Sequence, residues 1–184
     1  MNIRTRVACI LIALALLLGG VGVTMAFIAS SSSPVINTFT VGNIALSLTE
    51  TTGTDYQLIP GTVVNKDPKL TVKAGSDTCW LFFRMTASQE LAACATYAAA
   101  EGWTLLSGSE SVYYRQVDRT DVDIAFPLLQ SNQVRIKATL TEEQLAALQA
   151  SPTLSFTGYA IQNYGIATAE DAWQQLISEG VTVG

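Results

Sequence analysis

The chain shows period-two alternation more often than helical periodicity. Ile44, Leu46 and Leu48 alternate with Ala45, Ser47 and Thr49, and Leu70, Val72 and Ala74 alternate with Lys69, Thr71 and Lys73. Both patterns predict half-buried strands. Between them Pro60-Gly61 bends the chain, and Asp67-Pro68 sets a second turn. "CWLFFRM", residues 79–85, is apolar on both faces apart from Arg84, as expected of a strand buried between layers. Ser88 is placed to cap a helix from Gln89 to about Ala100, with Glu90 in its first turn and Gly102 past its end. Further strands are predicted over 103–106, 112–117, 121–126, 133–140 and 154–162. Val122, Ile124, Phe126, Val134, Ile136 and Ala138 are read as inward-facing. "TEEQ", residues 141–144, is a capping box, with Leu140 placed to staple onto Leu145, and predicts a short helix ending near Pro152. Thr168 opens a final helix with Trp173, Leu176 and Ile177 as its apolar stripe and Gly180 as its stop. In "VINTFTV", residues 35–41, Val35, Phe39 and Val41 share one face, and Thr38 and Thr40 the other. Many short strands with two or three inserted helices and no βαβ rhythm predict a mainly β fold, an antiparallel β-sandwich of jelly-roll-like type.

The first residues break this pattern. Arg4 and Arg6 precede an uncharged stretch from Val7 to Ala29 centred on "LIALALLL", and Thr24 and Ala26 supply the small-x-small spacing of an export signal. Cleavage is expected between Ala26 and Phe27. The same stretch is long enough to span a bilayer if retained, since about 20 apolar residues suffice; Gly19, Gly20 and Gly22 weaken its helix and favour cleavage. The expected organisation is a signal peptide over 1–26, a linker and donor-strand segment over 27–41 that begins "FIASSSSP", and a β domain over 42–184. No second apolar run or sorting tail follows, so a secreted protein of the extracellular matrix or cell surface, without a stable membrane anchor, is expected.

Composition then narrows the chemistry. At 184 residues and 49% apolar content, the chain suits one packed domain. Its net charge is −5, and loss of the signal, whose only charged groups are two arginines, makes it −7. Such a surface repels phosphate backbones, so nucleic acid is not an expected partner. The chain has no histidine, which removes the commonest general base and the commonest zinc ligand. Cys79 and Cys94 remain after cleavage. A strand from 79 to 87 travels about 25 Å at roughly 3.3 Å per residue, and a helix over 89–94 returns only about 8 Å. A disulfide needs Cα atoms within about 7 Å, so two buried thiols are expected ahead of the disulfide that an oxidising location would allow. Asp118, Asp121 and Asp123 form the densest carboxylate cluster but lack the glycine and terminal Glu of a calcium loop, and read as a solvated face. Glu142 and Glu143 suit a helix N-terminus, "GSES" at 108–111 suits a turn, and Lys66, Lys69 and Lys73 read as solvated. No nucleophile has a credible base. An enzyme, a metal site and a cofactor are not expected.

The signal ending in Ala-Phe, "NTFTVGNIALSLTET" (37–51), "LIPGTVVNKDPKLTV" (58–72), "GYAIQ" (158–162) and "AEDAW" (169–173) together resemble the TasA and camelysin family of Gram-positive bacteria. The resemblance implies processing by a SipW-type signal peptidase, a jelly-roll-like sandwich, and self-association into biofilm-matrix fibres. The metallopeptidase activity attached to some members has no residues to land on, because H-E-x-x-H needs two imidazoles. The leading expectation is a fibre-forming structural subunit; a monomeric extracellular binding or accessory module is the alternative, and a camelysin-type metal-dependent protease a remote one. Strand addition would use Val35, Phe39 and Val41, with Phe39 as the main anchor and the prolines at 60 and 68 beside the accepting edge. The competing expectation is that the same segment folds back as the chain's own first strand.

Overall fold

The computed structural model describes residues 28–29, 37–52, 56–148 and 151–180. Along the chain the first strands are β1 (Ile28–Ala29), β2 (Asn37–Val41), β3 (Leu46–Thr49), β4 (Tyr56–Gln57), β5 (Val63–Asn65) and β6 (Lys69–Val72). They are followed by β7 (Cys79–Ala87), helix α1 (Gln89–Cys94), β8 (Ala95–Thr96), β9 (Thr104–Leu105), β10 (Val112–Val117) and β11 (Ile124–Pro127). The chain continues through β12 (Gln133–Ile136), α2 (Glu142–Ala146), β13 (Leu154–Gln162) and α3 (Ala169–Ser178). Among the described residues the fold is mainly β, with three antiparallel-rich sheets of three or more strands, one two-stranded pair and short helices.

The five-stranded sheet runs β2-β13-β7-β10-β9, all antiparallel except that β2 lies parallel to β13. Two three-stranded sheets run β11-β6-β3 and β5-β12-β8, and β1 pairs with β4. The apolar run at 79–85 is the spine, flanked by β13 and β10. Leu81, Phe83 and Met85 point into a core shared with Leu48, Leu70, Val72, Val134, Ile136 and Phe156. Phe82 points the other way, with Tyr159, Ile161 and Val112, into a second core closed by Ala169, Ala172, Trp173 and Leu176 of α3. The five-stranded sheet is therefore covered on one face by the smaller sheets and on the other by a helix. Each fully buried large apolar side chain in these cores contributes about 1.5–3 kcal/mol.

Several boundaries differ from the sequence reading, each for a local reason. The helix after Ser88 has the expected cap, the Leu91 amide donating to Ser88 Oγ at 3.2 Å. It ends at Cys94 rather than near Ala100, because Ala95 turns extended and pairs with Ile136 while Thr96 pairs with Arg135. Sheet pairing thus overrides the helical propensity of the alanines. The capping box at Thr141 and Gln144 forms, but α2 stops at Ala146. Val122 is 66% exposed, not inward, since the strand starts only at Ile124; Ala74 and Ala138 are exposed as well. The buried stripe of α3 is Ala169, Ala172, Trp173 and Leu176, with Ile177 at 40% exposure. Pro68 is fully buried where the chain passes from β5 in one small sheet to β6 in the other. Cys79 and Cys94 are both free and buried, as the distance argument required.

Candidate assembly edge

Strand β2 is the outermost strand of the five-stranded sheet. Asn37 lies beside Thr157, Phe39 beside Tyr159 and Val41 beside Ile161 in parallel register. Phe39 stacks on Tyr159 with ring centroids 5.5 Å apart and planes 16° off parallel. Tyr159 in turn meets Trp173 of α3 edge-on at 5.1 Å. Phe39 and Val41 are half-buried against the second core, while Thr38 and Thr40 are exposed. The alternation read from the sequence therefore holds over 38–41. Val35 and the cleavage pair Ala26 and Phe27 lie outside the described residues. The strand ends at Gly42, whose φ of 99° suits glycine, and a Cβ there would fall 2.8 Å from Gln162 Cβ. Beyond it the Asn43 and Gln162 side chains both donate to Asp77 Oδ2 at 3.4 Å, tying the end of β2 to the end of β13.

What this edge can do follows from its composition. It offers one row of main-chain groups already paired with β13 and one aromatic anchor, Phe39, on a rigid aromatic platform. The outer side of β2 has no strand beside it among the described residues, the situation in which a sheet recruits another chain.

The charged residues singled out from the sequence lie elsewhere. Asp118 and Asp121 are exposed. Asp123, also exposed, accepts from the Ala74 amide at 2.9 Å and from Lys73 at 2.9 Å, and these bonds, the backbone one first, lower its pKa. No cluster of three metal-ligating side chains occurs among the described residues. Glu142 and Glu143 occupy the first turn of α2.

Lys66 corrects the reading of the lysines as solvated. It is 6% exposed, and its Nζ donates to Glu50 Oε1 at 2.6 Å and Oε2 at 2.7 Å. Next to it, Asp67 accepts from the Thr51 hydroxyl at 2.7 Å and the Thr51 amide at 2.8 Å. These bonds hold its carboxyl well below the usual carboxylate range. The "NKDP" run is thus a polar clasp on the end of β3. Its alternation-free sequence carries no signal that Lys66 turns inward. Burial pushes the Cys79 thiol up to about 12, and raises Cys94 as well, so neither is a reactive thiolate. Arg115, also missed, lies half-buried with its guanidinium carbon 4.0 Å from the Phe126 ring centroid and 5.5 Å from that of Trp103. Its position on β10, two residues from the inward Tyr113, is the signal that places it on that face.

No family model, curated protein or solved structure matches the chain. No helix among the described residues is long and apolar enough to cross a membrane.

Proposed function

We propose that the protein is a secreted structural subunit of an extracellular matrix or cell surface, which self-associates by exchanging the segment 27–41 between copies. The observation that carries this reading is the placement of β2. It is an edge strand that leads into the β domain through Gly42, and its contacts with β13 and Tyr159, like the pairing of β1 with β4 in the same segment, are the same whether the segment comes from its own chain or from a neighbour. Exchange of an identical element costs little, because the native contacts are remade between copies, and each donor chain becomes the next acceptor. The expected SipW-type processing that frees Phe27, the Ser-rich lead and the resemblance to the TasA and camelysin family support the same role. In this reading the five-stranded sheet and the two smaller sheets are the layers of a jelly-roll-like sandwich, with α3 as an added cover.

The register supplies a direct test. Thr40 lies opposite Ala160, so cysteines at both positions are at cross-linking distance. The variant Thr40→Cys/Ala160→Cys, oxidised after incubation at high concentration, should give a ladder of covalent oligomers in denaturing gels, and oxidation at high dilution should give an internally bridged monomer that no longer elongates. Phe39→Asp should slow assembly in the otherwise unchanged chain. Only internally bridged monomer at every concentration would refute exchange and assign residues 37–41 permanently to their own domain.

A further inference from the structure

A gap in one β ladder, on a different sheet from β2, has the make-up of a ligand site. Strands β8 and β12 are in register at Thr96 and Arg135, and the same two stretches meet again at the bridge between Ala99 and Leu129. Between these closures residues 130–134 face only 97 and 98, so the longer side must arch away. The arch is a short turn in which Ser131 and Asn132 have φ of 53° and 54°. Two successive non-glycine residues in the left-handed region are uncommon and carry strain, serine more than asparagine. The Gln130 amide donates to the Ala98 carbonyl at 3.0 Å and pins one foot of the arch.

The arch borders a cleft of about 330 Å³ lined by Thr96, Tyr97, Gln130, Ser131, Gln133 and Arg135. That volume sits at the lower end of the range for small-ligand clefts, about 300–1,000 Å³. The lining is unusual for this chain. With 15 acidic and 10 basic residues overall, it has no acidic side chain and one cation. The exposed Arg135 donates to Gln133 Oε1 at 3.2 Å, which brings the guanidinium and the amide to the same side of the cleft. Tyr97 is packed against the main core and gives the cleft a rigid wall.

We propose that this cleft binds a saccharide unit bearing a carboxylate. Three hydroxyls, of Thr96, Tyr97 and Ser131, and two carboxamides, of Gln130 and Gln133, all of which both donate and accept, match the mixed donor and acceptor pattern of a polyol. The guanidinium supplies the planar fork that recognises a carboxylate in two-point fashion. The absence of acidic residues from the lining removes the repulsion such a ligand meets elsewhere on the surface. The site is independent of strand exchange, and gives a matrix subunit a means of holding acidic glycan.

The test is an amide NMR titration of the secreted chain with a disaccharide of glucuronic acid and N-acetylglucosamine, with neutral diacetylchitobiose and inorganic phosphate as parallel probes. Binding of the acidic disaccharide should shift resonances at 96–98 and 130–135. Arg135→Gln should raise its Kd at least tenfold while leaving the rest of the spectrum unchanged, and Gln133→Ala should weaken it several-fold. Diacetylchitobiose should bind at least tenfold more weakly. Absence of shifts with the acidic disaccharide, equal binding of the neutral one, an unaltered Kd in Arg135→Gln, or the same shifts from phosphate at the same concentration would each overturn the assignment.

Discussion

Gly158 is where the packing of the two layers is most exposed to a small perturbation. It sits mid-β13 between Phe83 of β7 and Thr38 of β2. A methyl on its Cα would fall 2.4 Å from Leu70 Cδ1, 3.3 Å from Leu70 Cδ2 and 3.5 Å from Leu46 Cδ2. Carbon atoms rest at about 3.5–4.0 Å, so Gly158→Ala creates an overlap of about 1 Å or more with a side chain that has no exposure and sits on the central strand of its sheet. Overpacking of this kind costs about 1–3 kcal/mol. An overlap of this size with a fully buried side chain belongs above the middle of that range, at about 2–2.5 kcal/mol, and replacing glycine returns about 0.4–1 kcal/mol through the unfolded chain, leaving a net loss of about 1–2 kcal/mol. For a chain of this length that lowers Tm by about 2–8 °C. Urea unfolding followed by tryptophan fluorescence reads it directly. Leu70→Ala alone should cost about 2–5 kcal/mol. In the double variant the new methyl occupies space that Leu70 vacated, so the combined cost should fall short of the sum by about 1 kcal/mol or more. A Gly158→Ala protein as stable as the parent, or strict additivity in the double variant, would refute the close approach of β13 to β6.

Lys66→Met leaves the Glu50 carboxylate buried without its ammonium and should cost about 3–5 kcal/mol, whereas Lys66→Met/Glu50→Leu should recover most of that loss in the same urea titration. Asp67 has a folded pKa below its unfolded value, so its contribution is complete above the unfolded value of about 3.9 and disappears as pH falls through the folded one. The stability difference between parent and Asp67→Asn should therefore be constant from neutral pH to about pH 5 and shrink steadily below about pH 4. With burial raising both thiols, Cys79 and Cys94 should resist a thiol reagent at pH 8 in the native protein and react together in denaturant. A fast native-state reaction of either would contradict its burial.

The strands that were legible are those rich in β-branched and aromatic residues between turn signals. Residues 112–117 and 154–162 form strands with the expected ends, and the run at 79–85 lies where an apolar stretch with two buried faces must lie. The helix over 169–178 was legible from Thr168 and its acidic first turn. The Ala-rich stretch after Ser88 was not, because its helical preference is a local quantity and the partner that wins it for the sheet, Ile136, is some forty residues away. Val122 was misplaced because alternation continues past the point where β6 stops providing a partner, at Val72 opposite Ile124. At the proposed edge, the face carrying Phe39 and Val41 was legible, whereas the parallel pairing with β13 has no local signature. The buried Lys66 and the arch at 131–132 depend on chain crossings that no single segment encodes.

The pairing of β2 with β13 also fixes an order of events in time. Asn37 and Thr157 are neighbours in the sheet but are separated by most of the chain, and such closures form late. Synthesis delivers the N-terminal segment first, so residues 37–41 must wait until residue 161 has emerged before their place exists. Throughout that interval each nascent molecule carries a ready strand with nowhere to go. When β13 does appear it presents a vacant edge for which its own strand and those of nearby molecules compete. In the proposed exchange, local protein concentration during that interval, as much as the contacts themselves, decides whether a ring closes on itself or a chain of subunits begins.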